Sequence, residues 1–255
     1  MFRGVYNSAA AMLVQQHAVD VAANNLANAG TSGFRKSVVS FKAFPDAGMV
    51  RQENDGSPAG HREGIGIVPL SVVVSESSPV MSPGEIRETG NPLECSIAGE
   101  GFFQVSDGNN NWFTRSGLFT LDSEGQLVTL GGLVLMGDGG PIPVGDGSSV
   151  SINEKGVVIS DGEEVGRVPL FSFELPSRLR QIGSGLLAGT AASGPPVRID
   201  PDMVSLVPGS VEGSNVNVVE EMVRMLAASR AYEAVSKSFE ADSEAGRKMI
   251  ETFGK

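Results

Sequence analysis

The sequence predicts an α+β protein in which long N- and C-terminal helices pair as a coiled-coil-like bundle, with a central antiparallel β-rich domain between them. Apolar residues recur every seven positions near both ends of the chain. The region between them consists of short β-branched runs divided by turn residues. The expected boundaries are residues 1–34 with 214–255 for the helical segments, 35–66 for an extended connector or arm, 67–205 for the β-rich domain and 206–213 for a return linker.

The C-terminal helix is predicted over residues 214–253, which contain no proline. Asn217 and Glu220 have the spacing of a capping box, in which both side chains satisfy backbone amides at a helix start. Glu220 and Arg224 form an acid-first pair on the charged face. An amphipathic helix of roughly 50 Å needs a partner to pack against. The sevenfold apolar positions are Val211, Val218, Met225, Tyr232 and Phe239, and Met222 and Leu226 widen the stripe.

The N-terminal helix is predicted over residues 3–29, with Val5, Met12, Val19 and Leu26 at sevenfold spacing. Because this segment carries very few charges, we expect the helix to be covered on more than one side, by the C-terminal helix and by other molecules. Gly30 or Gly33 fits a position with positive φ just after the helix. The simpler alternative is that the two helices form an ordinary bundle within one domain.

The connector and the central region differ in pattern. Residues 35–66 have no periodicity and are rich in turn residues, which fits either an extended connector or a disordered surface loop. From Ile65 onward, short β-branched runs alternate with turns every eight to twelve residues, which predicts antiparallel strands and not βαβ units. We expect residues 183–197, with several glycines and a Pro-Pro pair, to form a loop.

Composition excludes several classes of function. The 19 basic and 30 acidic side chains give a net charge of −11, which is unlike a nucleic-acid-binding surface. No apolar run approaches twenty residues, so no direct membrane insertion is expected, and no secretory signal peptide is expected at the N-terminus. The two histidines lie far apart and Cys95 is the only cysteine, most simply a small buried hydrophobe. We therefore predict no metal site, no cofactor and no catalytic residues.

Several motifs resemble those of one protein family, the axial proteins of the bacterial flagellum. At the end of the first helix the run Asn24–Asn28 is followed by Gly33-Phe34-Arg35, and residues 212–217 read Glu-Gly-Ser-Asn-Val-Asn before the last helix. Residues 97–105 and 230–234 are also similar to the family. The resemblance covers nearly the whole chain in the same order, and no single motif carries it.

The resemblance implies a structural subunit of the flagellar rod that self-assembles into a helical tube. The proximal-rod branch of the FlgF type is favoured, and the distal-rod branch of the FlgG type or a hook-type subunit is the alternative within the family. The implied partners are other copies of the chain, other rod and hook subunits and the flagellar type III export apparatus. The implied location is the extracytoplasmic basal body, and residues 35–66 are implied to form an arm that contacts neighbouring subunits. Outside the family, the alternatives are a secreted β-rich adhesin with a helical oligomerisation stalk and, third, an enzyme.

A predicted assembly interface follows from the helix patterns together with the family motifs. The backbone entropy lost in ordering both ends is about equal to, or greater than, the free energy that a lone pair of helices is expected to recover, and contacts with other subunits would decide the balance. We therefore expect the ends to be largely disordered in the monomer and to fold on assembly. The residues predicted at the interface are Val5, Met12, Val19, Asn24, Asn25, Leu26, Asn28, Gly33, Phe34, Asn215, Asn217, Met222, Met225, Tyr232 and Phe239.

Overall fold

The computed structural model describes residues 2–43, 47–53, 61–68, 72–145, 149–203 and 205–253. The chain divides into two compact units. The helical unit comprises Met1–Asn24, Val39–Ser77 and Val219–Lys255, and the β unit comprises Asn25–Val38 and Ser78–Val218. The sequence pattern groups residues 25–34 with the first helix. In the structure they belong to the β unit, and most of them follow the helix.

The helices predicted at both ends of the chain are confirmed as α1 (Phe2–Ala27) and α2 (Val218–Phe253). Helix α2 begins directly after Asn217, the residue predicted to cap it. Val211 was expected to share the sevenfold stripe, but it lies on a strand, so the stripe begins at Val218. An apolar residue can fall at a sevenfold position whether or not the backbone there is helical. The predicted stripe therefore began before the first residue of the helix.

Helix α1 ends without the predicted glycine cap. The chain leaves the helix through overlapping turns in which the amides of Asn28 and Ala29 donate to the carbonyls of Asn25 and Leu26, each at 3.2 Å. Gly33 does have the expected positive φ, at 70°, but it lies six residues beyond Ala27. The conformational freedom of Gly33 therefore serves a later turn and not the helix end.

Four strands follow α1 along the chain. They are β1 (Ser37–Ala43), β2 (Ala47–Glu53), β3 (His61–Val68) and β4 (Val72–Pro79). The first two strands and most of the third lie where the sequence predicts an extended connector, whereas β4 lies in the region predicted as the β-rich domain. The residues at the centre of the expected loop, 54–60, are outside the described part of the chain. β1 pairs with β4, and β2 and β3 form an antiparallel hairpin in which Ala47 is opposite Val68 and Glu53 is opposite His61.

The β unit confirms the predicted antiparallel β-rich region. Its strands are β5 (Ile86–Glu88), β6 (Cys95–Ile97), β7 (Phe102–Ser106), β8 (Asn111–Thr114), β9 (Phe119–Leu121), β10 (Leu127–Thr129), β11 (Val134–Gly137), β12 (Gly140–Pro141), β13 (Val150–Ile152), β14 (Val157–Ser160), β15 (Glu163–Arg167), β16 (Leu170–Ser172), β17 (Arg180–Gly183), β18 (Leu186–Ala188), β19 (Val197–Arg198), β20 (Leu206–Pro208) and β21 (Ser210–Glu212). Short 3₁₀ turns lie at Pro176–Arg178 and Pro201–Met203.

The main sheet of the β unit has the strand order β17-β18-β8-β7-β11-β10-β9, and β16 pairs with both β7 and β19. A second sheet has the order β13-β14-β15, and two small ladders join β20 to β6 and β21 to β5. The two small ladders position the chain that leads into α2, because β21 is the last strand before that helix. They hold the chain that enters the C-terminal helix against the β unit.

The core of the β unit is built from inward-facing residues of these strands. Phe103, Val105, Leu127, Leu135 and Val158 are fully or almost fully buried within one cluster. A second cluster contains Phe113 and Phe173, whose rings meet edge to face with centroids 4.8 Å apart. Cys95 is fully buried in the first cluster, as predicted for a small hydrophobe, and burial raises the pKa of its thiol to about 12.

Two segments that the sequence predicts to be irregular contain strands. Within 183–197, β18 pairs with β8, where Leu187 is opposite Phe113. Within the predicted linker 206–213, β20 and β21 pair with β6 and β5, where Leu206 is opposite Ile97 and Val211 is opposite Arg87. These strands are three residues long and have glycine or proline in or beside them, so they show no alternation that a sequence pattern could detect.

Candidate functional site

The two motif-bearing stretches, the one that follows α1 and the one that precedes α2, meet in the β unit. The amide of Gly33 donates to the carbonyl of Glu212 at 2.7 Å, and the amide of Asn215 donates to the carbonyl of Phe34 at 3.4 Å. A Cβ atom added to Gly33 would lie 2.2 Å from the amide nitrogen of Ser116. The backbones at Gly33 and Ser116 are therefore too close for any residue other than glycine at position 33. We call this region, residues 25–37 with 210–217 and their partners, the junction.

Asn25 closes the first half of the junction. Its side-chain amide donates to the carbonyl of Ser37 at 2.9 Å, and its side-chain oxygen accepts from the amide of the same residue at 2.8 Å. The side chain is almost completely buried. Because it both donates and accepts, the carboxamide replaces a backbone partner for Ser37, and neither an aspartate nor an alanine could satisfy both groups.

Asn215 joins three segments of the chain. Its side-chain oxygen accepts from the amide of Lys36 at 2.7 Å, and its amide nitrogen donates to the carbonyls of Val80 and Ser82, each at 2.9 Å. The stretch after α1, the end of β4 and the lead-in to α2 are therefore connected by one side chain. Gln181 adds a further link, since it donates to the carbonyl of Arg35 and accepts from the hydroxyl of Ser37.

A buried ionic cluster of Arg35, Glu212 and Arg115 lies at the centre of the junction. Nη2 of Arg35 lies 2.6 Å from Oε1 of Glu212, and Nε of Arg115 lies 3.1 Å from Oε2 of the same carboxylate. Oε1 also accepts from the amide of Gly84 at 2.8 Å. The side chains of Arg35 and Glu212 are each 1% exposed, so both charges depend on these contacts for solvation.

Arg115 is held from two further directions. Its Nη1 and Nη2 donate to the carbonyls of Gly101 and Gly99, each at 2.8 Å. Burial lowers the pKa of Arg115 from its ordinary value, and the negative charge of Glu212 opposes that shift. Because arginine titrates far above physiological pH, the group remains a cation, and the cluster carries two positive charges against one negative charge.

The predicted interface residues on either side of the junction fall into two groups. Asn25, Gly33, Phe34 and Asn215 lie within the subunit, where they are buried or make the hydrogen bonds described above, and their contact with neighbouring subunits stays a prediction. The others lie on or beside the helices: Val5, Met12, Val19, Leu26, Asn28, Met225 and Phe239 are half-buried, whereas Asn24, Asn217, Met222 and Tyr232 are exposed.

Sequence reasoning missed one feature of this arrangement and anticipated a second only in part. Arg35 and Glu212 lie in motifs that carried the family resemblance, but their pairing with each other and with Arg115 was not predicted. The second feature is the apolar surface at the start of α2, where Val219 is 71% exposed, Met222 50%, Val223 62% and Leu226 53%. These four residues lie at i, i+3, i+4 and i+7, so they form one continuous stripe, which we call the α2 stripe.

Opposite faces of α2 differ in their surroundings. Glu221 and Ala228 are buried, and at 3.6 residues per turn they lie on roughly the other side of the helix from the α2 stripe. The helix therefore has one face that is covered within the chain and another that offers apolar surface to solvent. Among the described residues, no helix is long and apolar enough to cross a membrane, and no group of three or more potential ligands could hold a metal ion.

A β unit with a buried core, a junction held by buried hydrogen bonds and a long helix with exposed apolar surface are features that favour assembly, and the comparisons with known proteins agree. Three family models match in chain order: the flagella basal body rod protein model over residues 6–35, the flagellar hook protein FlgE/F/G D1 domain over residues 96–160, and the flagellar basal body rod FlgEFG protein C-terminal model over residues 207–252. The first and third include the junction motifs.

Relatives match over almost the full chain. The flagellar basal-body rod protein FlgG of Buchnera aphidicola subsp. Acyrthosiphon pisum is 33% identical, with 98% of this chain and 99% of the relative covered. FlgG of Bacillus subtilis is also 33% identical, with 98% of both chains covered, and FlgF of Caulobacter vibrioides is 30% identical, with 100% and 99% covered. The chain belongs to the flagellar basal-body rod protein family and is a structural subunit of the rod.

Proposed function

We propose that this subunit builds the rod by packing its two helices with those of neighbouring copies into a helical tube that surrounds a channel, with the β unit outside the tube. The observation that carries the proposal is the α2 stripe, an exposed apolar surface on a long helix of a rod-family chain. Contacts between two different surfaces, repeated without closing a ring, generate a helical filament. The function needs no chemistry.

The energetics favour assembly through many repeated contacts. Full burial of a Val, Leu or Met side chain contributes about 1.5–3 kcal/mol, and the residues of the α2 stripe are already partly covered. One stripe therefore supports only a weak contact between two isolated subunits. In a tube, each subunit makes that contact with its neighbours on several sides, so the polymer gains stability that a dimer lacks.

The same proposal includes the coiled-coil-like pairing of α1 with α2 and the predicted interface residues on both helices. Hydrogen exchange of the purified subunit tests it, first in dilute solution and then after induced polymerisation. We expect residues 1–24 and 219–253 to exchange rapidly in the dilute subunit and to become protected in the polymer. Full protection of both segments in the dilute subunit would mean that the helices form a self-contained bundle, which contradicts folding on assembly.

Substitutions on α2 test the stripe directly. Leu226→Ser removes apolar area from the stripe, whereas Ala227→Ser changes the adjacent exposed residue, which lies about 100° further round the helix. We expect the first variant to raise the critical concentration for polymerisation about tenfold, since one buried leucine contributes at least about 1.4 kcal/mol at an interface. The second variant should polymerise like the unsubstituted chain. Equal effects of the two would remove the stripe from the interface.

The position along the rod and the route of export form a separate part of the proposal. The two FlgG relatives described above are 33% identical to this chain and the FlgF relative is 30% identical, which supports a FlgG-type position over the FlgF-type position favoured by the sequence motifs. Cryo-electron microscopy of isolated basal bodies would test this by locating the β unit in the proximal or the distal part of the rod. We also propose export through the type III apparatus without cleavage, which an intact mass of the subunit from those basal bodies would check.

A further inference from the structure

The β unit contains a cavity of about 530 Å³ beside the junction. Its apolar walls include Met81, Ile86, Ile97, Phe102 and Phe173, which come from different parts of the β unit. One wall is formed by the ionic cluster, since Arg35, Arg115 and Glu212 all line the cavity. A cavity of this size, apolar with a few convergent polar groups, has the composition of a binding site.

The ionic cluster is incomplete in a specific way. Both oxygens of Glu212 lie within ion-pair distance of a cation, although Oε2 has no hydrogen-bond partner among the described residues. Arg115 uses its remaining nitrogens on two backbone carbonyls. Arg35 uses only Nη2, and its Nε and Nη1 are buried donors without a hydrogen-bond partner among the described residues. Two buried cations therefore share one carboxylate. Arg35 is the one with unsatisfied donors, and, unlike Arg115, its guanidinium donates to no backbone carbonyl among the described residues.

Glu100 does not complete the cluster. Its carboxylate also lines the cavity and acts on Arg115 through its charge, but the residue is exposed and solvated. A buried guanidinium with free donors is best satisfied by a carboxylate, because the planar fork of arginine matches the two carboxylate oxygens. The apolar walls in turn favour a carboxylate that is attached to, or adjacent to, an apolar group.

We infer that this cavity binds an acidic residue flanked by an apolar side chain, inserted from a second copy of this chain in the assembled rod. The occupant follows from charge complementarity: the chain carries 30 acidic side chains and a net charge of −11, so a second copy offers many carboxylates to a buried cluster in which two arginines share one carboxylate. The inference rests on the proposed assembly function and adds a contact of the β unit to the contact between helices. The acidic residue accepts from Arg35, and its apolar neighbour fills the space between Phe102 and Ile86.

A photo-cross-linking experiment on the full chain tests the inference. Ala98 is exposed and lines the cavity, and Cys95 is fully buried, so Ala98→Cys introduces one reactive thiol at the cavity. The thiol is labelled with benzophenone maleimide, and labelled and ¹⁵N-enriched unlabelled copies are mixed, polymerised and irradiated. We expect cross-links between copies that map to a segment containing Asp or Glu beside an apolar residue, and at least tenfold fewer such cross-links in the dilute subunit.

Leu226→Cys, labelled in the same way on the α2 stripe, separates the two proposals. Cross-links between copies from position 226 with none from position 98 would overturn the cavity inference while the assembly function stands. Absence of cross-links from both positions, in a mixture that sediments as polymer, would overturn both proposals.

The dilute subunit is also titrated with 3-phenylpropionate, a free apolar carboxylate. Micromolar binding of this probe, together with absent cross-links from position 98, would assign the cavity to a free small acid and overturn the second copy as its occupant.

Discussion

Arg35 and Glu212 are 177 residues apart in the chain, yet Nη2 of the arginine and Oε1 of the glutamate lie 2.6 Å apart in a buried environment. One residue follows the N-terminal helix and the other precedes the C-terminal helix. Because Arg115 of the β unit binds the same carboxylate, a single side chain ties both ends of the β unit's chain to its sheet. The stability of the junction should therefore depend on Glu212 more than on any surface ion pair.

Glu212→Gln is expected to lower the free energy of unfolding of the β unit by about 3–5 kcal/mol, because it leaves two buried cations without a carboxylate. Urea denaturation followed by fluorescence of Trp112 in the β unit measures the change. Asp138→Asn is the matched control within the β unit, since Asp138 pairs with Arg198 at 2.7 Å but the two side chains are 40% and 42% exposed. The control should cost less than about 1 kcal/mol. Similar losses in the two variants would show that the buried cluster has no special role.

Asn25→Asp is expected to destabilise the junction by about 1–3 kcal/mol, because aspartate keeps the acceptor for the Ser37 amide but loses the donor to its carbonyl and adds a buried charge. Thermal unfolding measures the loss, and hydrogen exchange at Ser37 should accelerate. Asn24→Asp makes the same chemical change at the adjacent exposed residue and should have a much smaller effect. Unchanged protection of the Ser37 amide in the first variant would contradict the assigned hydrogen bonds.

Gly33→Ala should be strongly destabilising, since the new Cβ would lie 2.2 Å from the Ser116 amide nitrogen and φ is +70°. We expect a loss of at least about 2 kcal/mol from the positive φ and the displaced backbone together. Gly30→Ala is the control, because its Cβ would meet nothing within 4 Å and its φ is not positive. That substitution should be neutral or slightly stabilising through the unfolded state. Chemical denaturation of both variants provides the comparison.

Cys95 should be unreactive in the folded protein. Burial raises the pKa of its thiol to about 12, whereas a thiol in the unfolded chain ionises near about 8.5. The unfolded state therefore loses this proton first as pH rises, so the free energy of unfolding should fall between pH about 8.5 and 12. At pH 8, Ellman's reagent should react with Cys95 only in denaturant, while the exposed thiol of Ala98→Cys should react at once. Rapid reaction of folded Cys95 would contradict its burial.

Sequence patterns predicted the two long helices well and the shortest strands poorly. Helices α1 and α2 extend over many turns, so repeated apolar spacing and a capping residue were sufficient to find them. Strands β18, β20 and β21 contain three residues each, and their existence depends on partners far away in the chain. Residues 183–197 and 206–213 were for this reason interpreted as a loop and a linker, whereas pairing with β8, β6 and β5 makes parts of them strands of the sheet ladders.

The candidate site divides in the same way. Asn25, Gly33 and Asn215 were recognised from motifs as residues of interest, but only the fold shows that their polar groups and close backbone contacts are used inside the subunit. The exposed α2 stripe was partly anticipated through Met222 and Leu226, whereas Val219 and Val223 fall outside the sevenfold positions. A heptad pattern identifies the apolar face of a helix only when that helix has a single apolar face.

The sequence by itself determined the two terminal helices, the antiparallel β-rich region between them and the resemblance to the flagellar axial proteins. These depend on local periodicity, turn-forming residues and contiguous motifs, all of which involve residues that are close together in the sequence. The tertiary structure alone decided that Arg35, Arg115 and Glu212 form one buried cluster and that a cavity lies beside it. The physical reason is that burial and ion pairing depend on which distant segments meet, and that is fixed by strand pairing across the whole fold.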